Sequence, residues 1–361
     1  MSKTARFRAQ DATVVGAAAQ AAIVQRLKRR TMAAGNFSGP CLPALAEHFI
    51  AKALKLFDVM DIPLQGAELT AFRTMFRAKL QEGFDVSPHG RFVLAFRPDA
   101  SDPLAVSCTV SVYIPTLEEQ ITEWVQTSGA DEPFGKHPDA KVLEVGRQLA
   151  GGLKSAPLRV LDVGAGTGRN SIPLARLGFA VDAIEPVAQF AARLRKAAEQ
   201  MHLVVTVIEE DVFEATQLPE GPYELIVLSE VVTHFTEAEL RILMTNLVGR
   251  MSGNGLLLFN AFVARNGYRP DLLAKQAGSC VWSTLLTQRE LAEIARAVEL
   301  ELLSDDSAVE YEKAHLPAEA WPPTPWYVPW ATGYNLFSPV TGTPPIELRW
   351  LLYRRSRRNG M

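Results

Sequence analysis

The sequence predicts an α/β protein in which a doubly wound, mostly parallel sheet follows a smaller domain of helices and a β-hairpin. Three observations carry this expectation. After Ser155, short apolar runs alternate with helical segments, the pattern of βαβ units. One of those runs passes directly into the turn Gly164-x-Gly166-x-Gly168 and then into a helix. Before Gly83, by contrast, apolar residues recur every three or four positions, and beyond it they fall into short strand-like runs. A length of 361 residues, against roughly 100 to 200 per domain, fits two domains, expected at 1–135 and 136–361.

The first 35 residues hold seven Lys or Arg against one acid, Asp11, around the small-residue run Val14 to Val24. Such an acid-poor basic segment reads either as an ordinary helix or frayed terminus, or as a transit peptide or surface anchor; it lacks the apolar core of a secretory signal. Leu45, Phe49, Ala53 and Leu56 mark one amphipathic helix, and Leu69, Phe72, Met75, Phe76 and Leu80 a second. Arg91 to Phe96 and Ala105 to Ile114 flank a segment rich in turn formers and predict a hairpin. Thr116 with Glu119 has the capping-box spacing and opens a helix through Trp124. Residues 129–139 read as a linker. Strands are expected at Leu158–Val163, Ala180–Ile184, Val204–Ile208, Leu225–Leu228 and Leu256–Phe259, with a last one at Ile346–Tyr353 that has no crossover helix before it and can enter antiparallel.

A net charge of -3 gives no global attraction to nucleic acid or to an acidic membrane. The longest apolar stretches, such as Gly255 to Val263, fall well short of the roughly 18 to 20 residues of a membrane span. Cys41, Cys108 and Cys280 are too scattered for a metal pair or a disulfide framework, so a reducing, cytoplasmic setting is the expectation.

The glycine turn allows positive φ and lets a ligand approach the main chain without meeting a Cβ. A dinucleotide fingerprint would need Gly or Ala where Arg169 stands, which argues against NAD. The next strand ends in Glu185, at the carboxyl end where a parallel sheet meets its ligand, and a carboxylate there can accept both hydroxyls of a ribose. The third strand runs into Glu209, Glu210 and Asp211. Asp211 is placed to take a purine amine, with Glu210 the candidate if the strand ends one residue earlier. The fourth ends in Ser229, Glu230 and Val231.

Taken together, Asp162, the three glycines, Glu185 and Asp211-Val212 resemble the class I S-adenosylmethionine-dependent methyltransferases. The resemblance runs from near Val160 to Tyr353 and implies a Rossmann-like, seven-stranded methyltransferase sheet with S-adenosyl-L-methionine as cofactor. It also implies that Asp162, Gly164, Gly166 and Gly168 line the methionine moiety, Glu185 the ribose, and Asp211 with Val212 the adenine, with Ser229 counted among the cofactor residues. Gly168 to Ser171 and Leu174 to Gly178 are further similar to the tellurite-resistance-type branch, which makes small soluble enzymes.

Past the fourth strand, Glu230 and His234 are the candidate catalytic pair. Glu230 either bonds a ligand or caps the next helix, and His234 either accepts a proton from the acceptor or simply starts that helix. Methyl transfer is an in-line displacement that needs proximity and orientation but no obligatory base, and no metal. Three of the six Trp lie between Trp321 and Trp330 in a Pro-rich stretch; Trp326, Tyr327, Trp330 and Tyr334 are the candidate substrate residues, as a lid or a cation-binding face, or else they pack against the N-terminal domain. The expected acceptor is a small molecule offering O, N or S, with a peptide or protein, or a catalytically silent scaffold, as alternatives. A role for the N-terminal domain in capping the substrate, and in a homodimer, completes the expectation. Arg354, Arg355, Arg357 and Arg358 read as a solvated basic tail.

Overall fold

The computed structural model describes residues 13–28, 34–60, 62–100, 106–116, 119–121, 134–151, 157–213, 218–338 and 342–356. The chain divides into two compact units, Met1–Pro115 and Thr116–Met361.

In the first unit, helix α1 (Thr13–Lys28) exposes every described side chain from 16 to 27. Helix α2 (Ala46–Val59) buries Phe49 and Ala53 of the predicted stripe, with Ile50 and Phe57 in place of the half-buried Leu45 and Leu56, and α3 (Gly66–Val86) buries Phe72, Phe76 and Leu80. The predicted hairpin is β2 (Arg91–Pro98) paired antiparallel with β3 (Val106–Tyr113). Strand β1 (Gly35–Pro40) adds an outer antiparallel strand that the sequence hides, because Gly-Asn-Phe-Ser-Gly-Pro is turn composition. Its glycines let Phe92 and Phe96 of β2 lie across it: a Cβ on Gly39 would meet the Phe92 ring at 2.9 Å.

The second unit opens with the Thr116–Glu119 capping box: Glu119 N–H donates to Thr116 Oγ1 at 3.1 Å, and Thr116 N–H to the Glu119 carboxylate at 2.8 Å. The expected end of that helix, Trp124, lies outside the described residues, as do 129–133 of the linker. After α4 (Ala140–Ala150) the sheet is built from β4 (Arg159–Val163), β5 (Ala180–Ile184), β6 (Val205–Ile208), β7 (Tyr223–Leu228) and β8 (Met251–Ala264), all parallel. It is completed by β9 (Leu285–Leu286), β10 (Leu300–Ser307) and β11 (Ile346–Arg355), in the order β10-β11-β8-β7-β4-β5-β6 with β9 paired to β8. β11 is antiparallel to both of its neighbours, as its missing crossover suggested. β10, Leu-Glu-Leu-Leu-Ser-Asp-Asp-Ser, was not expected: as an edge strand it needs no apolar face on both sides.

The alternating strand period divides the apolar residues between two cores, one on each face. Leu161, Val163, Ile226 and Leu228 belong to one, and Val160, Leu225, Val227 and Leu258 to the other. Helices α5 (Ser171–Arg176), α6 (Ala188–Gln200), α7 (Glu237–Val248), α8 (Leu272–Cys280), α9 (Gln288–Ala297), α10 (Ala308–His315) and α11 (Tyr327–Ala331) complete the layers. Among the described residues no helix is long and apolar enough to cross a membrane.

Candidate active site

The three glycines of the β4 turn all have positive φ, but they differ in what a side chain would strike. A Cβ on Gly164 (φ 70) would meet Val231 Cγ2 at 2.3 Å, and one on Gly168 (φ 95) would meet Leu194 Cδ1 at 2.4 Å. Those two are glycines because the core leaves no room. Gly166 (φ 56) has only the Phe134 ring within reach, at 3.5 Å, an ordinary contact distance. It is therefore the one of the three whose Cβ would touch only a neighbouring ring and no tightly packed core atom.

Glu185 sits one residue past β5, 5 % exposed, and ties the turn down. Gly166 N–H donates to Oε2 at 2.7 Å and Val187 N–H to Oε1 at 2.8 Å. Burial raises the carboxyl above its usual range, and these two backbone donors pull it back. Each oxygen retains a further acceptor lone pair. Asp162 lies buried in β4 and accepts from Ser171 Oγ at 2.5 Å; burial, opposed by that hydroxyl, pushes its carboxyl up to about 7.

The acids after β6 separate clearly. Glu209 is turned out to pair with Arg195 at 2.7 Å, Glu210 is exposed, and Asp211 is half-buried beside buried Val212. Asp211 Oδ1 accepts from Phe213 N–H at 2.8 Å, an Asx turn.

The residues that sequence reasoning missed surround Arg169. This guanidinium, with its side chain 8 % exposed, donates through Nη1 to Asp139 Oδ1 at 2.5 Å and through Nη2 to Glu230 Oε1 at 3.2 Å. Asp139 Oδ2 accepts from Asn170 Nδ2 at 2.8 Å and from Ser229 Oγ at 2.6 Å, so the Ser229 hydroxyl is engaged by an acid. Glu312 of α10 accepts from the N–H groups of Ala140 and Lys141 and from Trp350 Nε1; burial and Asp139 push its carboxyl up to about 8. The only signal available beforehand was Arg169 itself, a charge inside a glycine turn that was read as an argument against NAD and no further.

Glu230 has φ 62, a left-handed conformation unfavourable for a residue with a Cβ, and its N–H donates to Asn260 Oδ1 of β8 at 2.7 Å. Burial and Asp139, opposed by Arg169, push its carboxyl up to about 7. His234, four residues on, is exposed with its ring 5.6 Å from that of Trp282.

Of the aromatic candidates, Tyr327 is buried, and its hydroxyl pKa is raised by burial and by the charges of Glu230, Glu312 and Asp139. Trp330 packs edge-on to Phe262 of β8 at 5.2 Å, and Trp326 packs edge-on to Trp330 at 5.6 Å. Tyr334 stands exposed. The segment thus brings Tyr327 to the charged group and gives Trp330 to the core.

Residues 160–255 match the family model described as a methyltransferase domain. No curated protein matches the chain. Similar solved structures include the cyclase SpnF, with 16% identity, a TM-score of 0.46 and coverage of 67% of this chain and 97% of that one. TehB from Haemophilus influenzae has 16% identity, a TM-score of 0.40 and 70% coverage of each chain. Magnesium protoporphyrin IX methyltransferase from Synechocystis PCC 6803, solved with bound S-adenosylmethionine, has 14% identity, a TM-score of 0.39 and coverage of 68% and 88%. The match over 160–255 gives the second unit a methyltransferase domain, and the enzyme it makes is an S-adenosylmethionine-dependent methyltransferase.

Proposed function

We propose that this enzyme methylates an O, N or S atom of a small-molecule acceptor by in-line displacement. The observation that carries the reading is the joining of Glu185 to Gly166 N–H at adjacent carboxyl ends of β4 and β5. One acid there fixes the turn and keeps a lone pair on each oxygen for the two hydroxyls of a ribose. The residues fit the cofactor: Gly166 leaves open the space a Cβ would fill, Asp211 has a second oxygen for an amine, and Val212 supplies an apolar wall. When bound, S-adenosylmethionine supplies a methyl group on a sulfonium, a carbon already activated for displacement.

The chain's own work is then to orient the acceptor, exclude water and take up a proton. We assign the proton to Glu230, whose carboxyl is held near neutrality, where a general base is most effective. Tyr327 and Trp326 are assigned to the acceptor side, where an aromatic surface displaces water and favours a cationic or ring-bearing acceptor. His234 stacks at a tilt on Trp282, its ring 5.6 Å away, and is the second candidate for the proton.

The test is calorimetric binding of S-adenosylhomocysteine, followed by a screen of amines, phenols, carboxylates and thiols for S-adenosylhomocysteine release. Binding together with turnover of a low-molecular-mass acceptor supports the reading. Turnover only with peptides or proteins moves the acceptor class, and binding without turnover of any acceptor points to a silent scaffold.

A further inference from the structure

Asp139, Arg169 and Glu230 come from three separate segments and meet as one buried group, with side chains 4 %, 8 % and 13 % exposed. Their bonding is unequal. Asp139 has both oxygens occupied, by Arg169 on one and by Asn170 and Ser229 on the other. Glu312, behind Asp139, also has both occupied, by Ala140 N–H on one and by Lys141 N–H with Trp350 Nε1 on the other. Glu230 accepts from Arg169 through Oε1 alone, and its Oε2 has no donor among the described residues. The carboxylate that still has an oxygen to offer is also the one whose main chain is held in a left-handed conformation and tied to Asn260.

We propose that Arg169 is the positioning residue that holds Glu230 in place as the proton acceptor for the methyl acceptor, with Asp139 fixing Arg169 and Asn260 fixing the Glu230 backbone. This rests on the methyl-transfer reading above. Only a planar fork bridges two acids in this way; a lysine ammonium is a point charge without the paired donors. Backbone strain of this kind persists where the surroundings over-determine it, and here Asn260 on one side and Arg169 on the other do so. In the step itself the acceptor's N–H, O–H or S–H bond breaks, its electron pair stays on the acceptor atom, and the proton forms an O–H bond with Glu230 Oε2. The proton passes to solvent after turnover.

The charges that set when Glu230 holds a proton come from every side of it. Arg169 from the glycine turn favours the carboxylate, and Asp139 from the segment before α4 opposes it. Tyr327 of α11 lies within range of the same charges, as does Glu312 of α10 through Asp139. Removing Arg169 and removing Asp139 must therefore move Glu230 in opposite directions, whereas simple structural damage has no such sign.

The experiment titrates the full-length protein labelled with carbon-13 at the glutamate δ-carboxyl, with the Glu230 signal identified by its loss in Glu230→Gln. The wild-type midpoint is expected at about 7. Arg169→Gln should raise it by about one to three pH units, the scale of an opposite charge at contact distance, Arg169→Lys should restore part of that shift, and Asp139→Asn should lower the midpoint. With the acceptor returned by the screen, the acid limb of the kcat/KM profile should move with the same sign and vanish in Glu230→Gln. A wild-type Glu230 that titrates in the ordinary carboxylate range overturns the proposal. So does an Arg169→Gln protein whose midpoint is unmoved, or whose activity falls equally at every pH. If Arg169→Gln does not fold, Arg169→Lys and Asp139→Asn carry the same opposed signs. A wild-type protein that fails to bind S-adenosylmethionine instead refutes the methyl-transfer reading, and the titration still decides whether Arg169 sets the Glu230 proton.

Discussion

On the β4 and β5 side of the sheet the candidate site is made mostly of main chain: a turn with three positive φ values, the N–H groups of Gly166 and Val187, and one carboxylate that binds them both. On the β7 and β8 side it is made of side chains, Arg169, Asp139, Glu230 and Asn260 interlocked, with the buried Tyr327 hydroxyl under the influence of their charges. A backbone cradle tolerates wide variation in sequence so long as its glycines and one acid remain, which suits a ligand common to many enzymes. An interlocked set of side chains changes with every substitution, which suits the part that meets a particular acceptor. The expected effects of mutation follow this division.

The largest effects should fall on the glycines and should separate them. Gly164→Val drives side-chain atoms into Val231 at a position already at φ 70, so the protein should lose several kcal/mol of stability or fail to fold, on the order of 3 kcal/mol from strain and overpacking together. Gly166→Val should remain folded by circular dichroism, with only the backbone cost of about 1 to 2 kcal/mol, and yet show no calorimetric S-adenosylhomocysteine binding. Equal behaviour of the two variants would erase the distinction between a packing glycine and a ligand-facing one.

Glu185→Ala comes next. Loss of a charged acceptor should weaken cofactor affinity by about 1.5 to 3 kcal/mol. Because the same carboxylate holds Gly166 N–H and Val187 N–H, the melting temperature should fall as well. Unaltered affinity with a lowered melting temperature would leave Glu185 as a brace for the turn and nothing more.

Smaller still is a pH effect on stability that belongs to the other half. The Glu230 carboxyl is raised from 4.5 to about 7 in the folded protein. A raised folded value means the proton is bound more tightly when folded, so the associated stability is present below about pH 4.5 and is lost as pH rises through 7. Denaturant melts of wild type against Glu230→Gln should therefore diverge across that window, the wild type losing on the order of 1 to 3 kcal/mol relative to the variant. A constant difference from pH 4 to 8 would contradict the burial argument.

The smallest expected change is Trp326→Ala. Its ring packs against Trp330 and Tyr327, so acceptor KM or kcat should change by about 0.5 to 2 kcal/mol in transition-state terms while cofactor affinity stays put. Trp330→Ala is the poorer probe, since Trp330 packs on Phe262 and its removal opens the core.

The first half of this comparison could be read before any fold was known. A strand running into Gly-x-Gly-x-Gly requires a tight left-handed turn, the periodic apolar runs give the parallel strands, and Glu185 and Asp211 stand at strand ends because a strand's length is written in its own residues. Every one of these signals is local, acting across a few neighbours through φ/ψ preference and side-chain alternation. Of the strands that escaped notice, β9 is two residues long, and β1 and β10 are edge strands whose composition reads as turn or solvent-facing chain.

The second half needed the tertiary structure. Asp139 meets Arg169 across 30 residues, Arg169 meets Glu230 across 61, and Glu312 reaches the start of α4 across 172. Nothing in those stretches of sequence marks the partners, because an ion pair buried in low dielectric is selected by which side chains the packed sheet edge brings within hydrogen-bond distance. The sequence by itself determined a doubly wound sheet, a glycine turn and the acids that end its strands. Which glycine has no core atom pressed against it, which acid keeps a free oxygen, and which cation pairs with that acid were decided only when the chain closed and removed those groups from water.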